Sequence, residues 1–89
     1  MIENLKRRLA DALELPKDIM LDLPVVTLVG DEEMLLTNHR GVLEYATDHV
    51  RISTALGVFK VVGTDLVLKE VSAEDIRVFG KINGVSLRA

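Results

Sequence analysis

Residues 50–68, VRISTALGVFKVVGTDLVL, contain the pattern that decides the fold of this 89-residue chain. In its first four residues, Val50 to Ser53, polar and apolar side chains alternate with a period of two, as in a half-buried strand. The segment 76–78, Ile-Arg-Val, repeats this alternation. The segments that begin at Val58 and Leu66 carry apolar side chains on both faces, so a second element or a partner is expected to bury part of the apolar surface. This stretch therefore predicts short strands of an antiparallel sheet.

The same spacing continues through the chain after Pro24. Short apolar segments begin about every eight residues, a regular spacing that is typical of all-β domains. Turn residues separate these segments at 30–31, 38–41, 47–48, 56–57, 63–65, 72–75 and 83–84. Asn83-Gly84 is the strongest turn signal, because a type I′ turn needs positive φ at both central positions. About seven or eight short strands predict a small antiparallel β-sandwich. A short β-solenoid is the alternative, since stacked rungs also give evenly spaced strands.

The first fifteen residues have a different pattern. Apolar residues recur at spacings of three and four, at Ile2, Leu5, Leu9 and Leu13. This spacing places them on one face of a helix. Pro16 ends the pattern, because the residue before a proline is disfavoured in the α region. We therefore expect an N-terminal amphipathic helix over 1–15 and a single all-β domain over 16–89. The helix either covers its own sheet or leaves that face to a partner.

The composition excludes several classes of function. Eleven basic and fourteen acidic side chains give a net charge of −3, and only 3% of the residues are aromatic. Nucleic acid is therefore not an expected partner, because proteins that bind it usually have clustered cationic side chains and aromatic side chains that stack on the bases. The absence of cysteine excludes disulfides, thiolate zinc sites and iron–sulfur clusters. No run approaches the roughly 20 apolar residues of a membrane span. We expect a cytoplasmic protein with no direct membrane span.

No residue pattern points to catalysis. The two histidines, His39 and His49, lie beside predicted turns, and no serine stands in a nucleophile-elbow context. The acidic segments 31–33 and 74–75 lack the alternating ligands and closing glutamate of a calcium loop. No phosphate-binding glycine pattern occurs. We expect no catalytic, cofactor-binding or metal site, and therefore no enzyme. A small ligand-binding domain that uses the histidines and the acidic turn is the less favoured hypothesis.

Six short motifs follow one another between Leu15 and Ile82. They are LPKDIMLDLP at 15–24, VTLVG at 26–30, NHRGVLEY at 38–45, Arg51-x-x-Thr54-x-x-Gly57, Gly63-x-x-Leu66 and Gly80-Lys81-Ile82. In this order they resemble the YabP/YqfC family of sporulation proteins, and within it the YqfC type. The C-terminal end departs from the pattern: after Val85 the chain reads Ser-Leu-Arg-Ala, where the family often closes with an aromatic residue.

The resemblance implies a small non-enzymatic protein of endospore-forming bacteria, with an all-β, sandwich-like domain. It implies a location in the mother-cell cytoplasm, peripheral at the forespore membrane through a partner. The implied partners are other sporulation proteins, among them a membrane-anchored protein of the YqfD type. No catalytic role accompanies the motif positions, which are Asn38, His39, Arg40, Gly41, Arg51, Thr54, Gly57 and Gly63. Either these residues make turns and strand pairs, or residues 38–41 and Arg51 mark a partner-docking edge.

Two interaction functions remain after these exclusions. The first is an assembly or adaptor module that binds other proteins through its sheet and helix, since apolar patches of several hundred Å² generally mark interaction surfaces. The second is a self-assembling β scaffold, a homo-oligomer built through strand edges, since unprotected edges pair with one another.

Overall fold

The computed structural model describes residues 22–88, and the predicted helix over 1–15 lies outside them. The described residues form β1 (Val25–Val29), β2 (Glu33–Thr37), β3 (His39–Tyr45), β4 (His49–Thr54), β5 (Gly57–Lys69) and β6 (Asp75–Arg88). These strands make one six-stranded sheet in the order β1-β2-β6-β5-β4-β3. All neighbouring strands pair antiparallel. The prediction of a mainly β, antiparallel fold is confirmed.

The strongest predicted turn is wrong, because Asn83 and Gly84 both lie inside β6. In the register with β5, Gly84 and Ile82 pair with successive residues, so Asn83 has no partner of its own in the ladder. Neither Asn83 nor Gly84 has the positive φ that a type I′ turn requires. The extra residue is a β-bulge, which bends and twists a strand without reversing it.

The predicted turn at 63–65 is a second bulge, on β5. Thr64 pairs with Lys81 and the next paired residue of β5 is Val67, so two residues of β5 lie opposite one residue of β6. Asp65, the first of the two, has a φ of 52°. Because both bulges continue their strands, segments that the spacing predicts as separate strands join into β5 and β6. The described residues therefore contain six strands rather than seven or eight.

The two-layer sandwich is not confirmed, because the six strands belong to one continuous sheet. The solenoid alternative is wrong, because strands of neighbouring solenoid rungs pair in parallel, whereas all neighbouring strands of this sheet pair antiparallel. The sheet nevertheless bends back on itself. β2 and β3 occupy the second and the last places in the strand order, yet only Asn38 separates them in the chain. One residue spans at most about 3.6 Å, so the two halves of the sheet must approach each other at this corner.

One hydrophobic core joins both halves of the bent sheet. Its buried residues are Met34, Leu36, Val50, Ile52, Val61, Leu66, Ile76, Val78 and Ile82. They come from β2, β4, β5 and β6. In β4, Val50 and Ile52 are fully buried while Arg51 is exposed, so the alternation predicted from the sequence is confirmed. Burial of each large apolar side chain contributes about 1.5–3 kcal/mol to folding.

Candidate functional site

Asn38 forms a corner between β2 and β3. The turn residues at 38–41 do not form a hairpin, because β2 and β3 do not pair with each other. Asn38 has a φ of 67°, a left-handed conformation that asparagine tolerates. Its backbone N–H donates to the Glu74 carbonyl at 2.8 Å, and its Nδ2 donates to the Leu23 carbonyl at 2.7 Å. Asn38 therefore ties the end of β2 to the β5–β6 loop and to the residues before β1.

His39 binds the start of β3 to the same loop. The Gly41 N–H donates to His39 Nδ1 at 3.0 Å, and His39 Nε2 lies 2.7 Å from the Ser72 carbonyl oxygen. Because Nδ1 accepts a hydrogen bond, Nε2 carries the proton and donates to Ser72. Backbone groups thus occupy both ring nitrogens, which leaves neither of them for a metal or a substrate proton. Arg40 beside it is exposed, and its Nη2 lies 3.1 Å from Asp22 Oδ2.

Thr54 and Gly57 close the hairpin between β4 and β5. The Thr54 hydroxyl donates to the Gly57 carbonyl at 2.8 Å and accepts from the Leu56 N–H at 3.2 Å. Gly57 has a φ of 129°, which favours glycine. Thr54 also pairs with His39 across β3 and β4. The motif positions 38–41, Thr54 and Gly57 therefore meet at one end of the sheet, where they make the corner and the hairpin.

Gly63 lies at the other end of β4, where backbones approach closely. Its N–H donates to the Asp48 carbonyl at 3.0 Å. A Cβ at this position would lie 2.0 Å from the Lys81 carbonyl oxygen, so no side chain fits. The sequence predicts a turn or a bulge at Gly63, and the structure has a β-bulge of the β5–β6 pairing there, where the close backbone contact leaves no room for a side chain.

Arg51 lies apart from the corner, on the outward face of β4. It pairs with Lys60 across β4 and β5, and its Nη1 lies 3.9 Å from Glu44 Oε1. An open depression of about 470 Å³ lies beside it, lined by Arg51, Gly57, Val58, Lys60 and Arg88. Two of the motif positions, Arg51 and Gly57, therefore line one surface feature. None of the sequence motifs includes Lys60 or Arg88. The register of β5 with β4 and β6 places these two residues on this surface.

His49 is held between two carboxylates on the β3–β4 hairpin. Its Nδ1 lies 2.7 Å from Asp48 Oδ1, and its Nε2 lies 2.8 Å from Glu44 Oε1. Hydrogen bonds to Asp48 and then to Glu44 raise the pKa of His49 above its ordinary value of 6.5. Both ring nitrogens donate in this arrangement, which favours the imidazolium. The neighbour Asp48 is visible in the sequence, whereas Glu44 joins the group only through the hairpin.

Lys81 and Asp31 form a close ion pair between β6 and the β1–β2 turn. The Lys81 Nζ lies 2.5 Å from Asp31 Oδ2. The pair lowers the pKa of Asp31 and raises the pKa of Lys81, mainly through the hydrogen bond between the two side chains. Both side chains are largely exposed, so the pair contributes little to the free energy of folding.

Both edge strands expose apolar side chains, although other exposed apolar residues, such as Val67 and Val71, lie elsewhere in the described part of the chain. β1 exposes Val25, Leu28 and Val29, and β3 exposes Leu43 and Tyr45. The five residues of β1, VVTLV, carry no charge. Edge strands usually carry charges, prolines or bulges that prevent pairing with another chain. The β1 edge is therefore a candidate surface for binding another strand.

Metal and membrane features are absent from the part of the chain that the structure describes. Residues 22–88 contain no cluster of three or more histidine, aspartate or glutamate side chains that could hold a metal ion. No helix within the same range is long and apolar enough to cross a bilayer.

Over residues 22–88, these features define a small all-β domain with an edge of β1 that pairs with no other described strand and with a basic depression. Residues 23–89 match the YabP family. The chain is also 37% identical over 82 residues to the uncharacterized protein YqfC of Bacillus subtilis (strain 168), an alignment that covers 92% of this chain and 88% of that relative. The chain belongs to the YabP family, so the resemblance found in its motifs is confirmed. No solved structure matches it.

Proposed function

We propose that this chain is a non-enzymatic assembly or adaptor module of endospore formation, which acts by binding other proteins in the mother cell. Membership of the YabP family supports the sporulation role. The second edge of β1, which pairs with no strand within residues 22–88, is the observation that carries the binding role. Leu28 and Val29 are 52% and 56% exposed there, and the strand has no charge to discourage pairing. An extended segment of a partner adds to such an edge through main-chain hydrogen bonds.

The proposed partners are other sporulation proteins, with a membrane-anchored protein of the YqfD type as the first candidate. Such a partner would hold the chain at the forespore membrane. Residues 38–41 remain a second proposed docking region, because residues 39–41 lie on β3, the other edge strand of the sheet. Arg40, Leu43 and Tyr45 are exposed along β3. Arg51, the other residue proposed for docking, lies apart from them on β4 and lines the depression.

A deletion strain tests the sporulation role. Removal of the gene from its own host should lower the count of heat-resistant spores sharply while vegetative growth stays normal. Expression of the wild-type chain from a second locus should restore the count. A deletion strain with unchanged spore counts would argue against a required role in sporulation.

A pull-down from sporulating cells tests the binding role at β1. The variant Leu28→Lys places a charge on the free edge and should reduce recovery of the partner. Val67→Lys is the matched control, because Val67 is exposed to a similar extent but lies on β5, within the sheet. Equal recovery by wild type and Leu28→Lys would place the contact elsewhere. A wild-type chain that recovers no protein from soluble or membrane fractions would count against the adaptor function.

The second candidate function is self-assembly through the same edge. The sequence VVTLV is apolar on both sides of Thr27, so two antiparallel copies of β1 centred on Thr27 would place apolar residues opposite one another. Light scattering on the purified protein separates this candidate from the first. Concentration-dependent growth that Leu28→Lys abolishes would favour the scaffold, whereas a sharp monomer at high concentration would exclude it.

A further inference from the structure

The depression lined by Arg51, Gly57, Val58, Lys60 and Arg88 gathers three cationic side chains on one face of the sheet. Arg51 pairs with Lys60, and Arg88 pairs with Val58, two residues before Lys60 in β5. Residues that pair directly, and residues two apart in a strand, point to the same face. Arg51, Lys60 and Arg88 therefore converge because of the strand register.

The three cations of the depression differ from the other four described cations, each of which has a close carboxylate or lies over an aromatic ring. The others are engaged: Arg40 lies 3.1 Å from Asp22, Arg77 lies 2.7 Å from Glu70, Lys81 lies 2.5 Å from Asp31, and Lys69 lies 5.5 Å from the centre of the Phe79 ring.

In the depression, the closest carboxylate to Arg51 is Glu44 at 3.9 Å, and Glu44 is already 2.8 Å from His49. Among residues 22–88, no ion pair involves Lys60 or Arg88. The chain has a net charge of −3, so this uncompensated positive charge is a local feature against an acidic background.

We propose that this depression binds an acidic segment of a partner protein, an inference that rests on the proposed adaptor function and names the chemistry of the partner. Arginine forks bind carboxylates through two parallel hydrogen bonds, and lysine adds a point charge. Neighbouring strands lie about 4.8 Å apart, so the cations extend over about 10 Å from β4 to β6. This length corresponds to about three residues of extended chain, which suits acidic residues at alternate positions.

Carboxylates fit this surface better than nucleic acid does. Non-specific binding of single strands combines a basic groove with aromatic side chains on which bases stack. None of the five lining residues is aromatic, and only three are cationic.

Fluorescence anisotropy with synthetic peptides tests the proposal. The probe is a labelled peptide of about ten residues with glutamate at alternate positions, and the control peptide carries glutamine instead. We expect the wild-type chain to bind the glutamate peptide and not the glutamine peptide. Binding should be tighter at low salt, because salt screens the interactions between exposed charges. The double variant Lys60→Gln with Arg88→Gln should bind about tenfold more weakly, since each exposed ion pair is worth a fewfold in affinity. Lys69→Gln, a cation outside the depression, should bind like wild type.

Three outcomes would overturn the proposal. The first is equal binding of both peptides, and the second is unchanged binding by the double variant. The third is binding of inorganic phosphate, or of phosphatidylglycerol–phosphatidylcholine vesicles, without binding of the glutamate peptide. Circular dichroism and urea unfolding should give wild-type curves for both variants, because Lys60, Arg88 and Lys69 are exposed.

A pull-down from sporulating cells separates this inference from the adaptor function. If wild type and the double variant recover the same protein in equal amounts, the acidic-segment inference fails and the adaptor function stands. If the double variant loses a protein that wild type and Lys69→Gln recover, and the anisotropy result agrees, the inference is supported. If wild type recovers nothing, the adaptor function itself fails.

Discussion

At the scale of single residues, Gly63 shows how backbone contact limits the sequence. An added Cβ would lie 2.0 Å from the Lys81 carbonyl oxygen and 2.9 Å from Leu66 Cδ2. The carbonyl belongs to the β5–β6 ladder, so it cannot move without disturbing strand pairing. We expect Gly63→Ala to lower the free energy of unfolding by at least about 1–3 kcal/mol, the usual cost of overpacking. Urea unfolding followed by circular dichroism measures this loss.

Gly84 provides the control for that substitution. It lies on β6, without positive φ, and an added Cβ would lie 3.5 Å from Val62 Cγ2, an ordinary contact distance. Gly84→Ala should therefore change the free energy of unfolding by no more than about 0.5 kcal/mol. Equal losses in Gly63→Ala and Gly84→Ala would contradict the explanation from close contact and would point to a general cost of replacing glycine in this hairpin.

His49 gives the protein a pH-dependent contribution to stability. Asp48 and Glu44 raise the pKa of His49 in the folded chain above its ordinary value of 6.5. A raised pKa means that the folded state holds the proton more tightly than the unfolded state. The stabilisation is therefore complete below about pH 6.5 and is lost as the pH rises through the folded pKa. We expect the melting temperature of wild type to fall over this window, on the alkaline side of about pH 6.5.

The variant His49→Gln is the control for this pH effect, because glutamine has no titrating group. Its melting temperature should depend less on pH over the same window. An NMR titration of the His49 ring protons measures the pKa directly. A midpoint below the ordinary histidine value would show that the carboxylate contacts do not hold the imidazolium in solution.

At the scale of the elements, Thr54 holds the β4–β5 hairpin through one hydroxyl. The hydroxyl donates to the Gly57 carbonyl and accepts from the Leu56 N–H, and Thr54 itself is only 5% exposed. Thr54→Val keeps the shape of the side chain and removes both hydrogen bonds. We expect the free energy of unfolding to fall by about 1–3 kcal/mol, since two partners lose their bonds. Ser53→Ala, on the opposite face of β4, should have little effect in the same urea titration.

Strands β4 and β6 show which features of the elements can be predicted from the sequence alone and which cannot. Alternation in β4 is local information, and it predicts the buried Val50 and Ile52 correctly. Asn83-Gly84 is equally local, yet it bends β6 rather than ending it. Turns and bulges select the same small or polar residues, because both need an unusual backbone or an absent side chain. What separates them is the pairing of β5 with β6 along their length, which no single segment encodes.

The candidate site also has a part that the sequence predicts and a part that it does not. The corner at Asn38 and the hairpin at Gly57 fall where the sequence places turn residues, although the corner joins strands that do not pair. The basic depression requires Lys60 and Arg88, and no motif includes them. They meet Arg51 only because of the register of three strands. Charge convergence of this kind depends on tertiary pairing, so a motif search along the chain cannot find it.

At the scale of the whole molecule, the two halves of the bent sheet share one core and one short connection. β2 contributes Met34 and Leu36 to the same buried cluster that holds Val50 and Ile52 of β4. Only Asn38 lies between β2 and β3. Neither half can therefore bury its apolar face without the other. This arrangement predicts a single cooperative unfolding transition, as small domains usually show.

Leu36→Ala tests this cooperativity from β2. The side chain is fully buried, so its truncation should lower the free energy of unfolding by about 2–5 kcal/mol. Tyr45, the only tyrosine of a chain without tryptophan, lies on β3 at the far edge of the sheet. Its hydroxyl donates to the Leu66 carbonyl at 2.9 Å, so its fluorescence reports on that half. We expect the urea midpoint seen by Tyr45 to move as far as the midpoint seen by circular dichroism.

Leu35→Ala is the matched control, because Leu35 neighbours Leu36 but is only partly buried and points to the opposite face of β2. It should shift both midpoints by less than Leu36→Ala does. If Leu36→Ala shifts the circular dichroism midpoint and leaves the Tyr45 transition unchanged, the halves unfold independently and the shared core does not couple them. If both probes move together, the two halves of the sheet unfold as one unit. A ligand that binds only the folded state stabilises every part that unfolds with its binding site. A partner bound at the β1 edge would then also stabilise the depression on β4, β5 and β6.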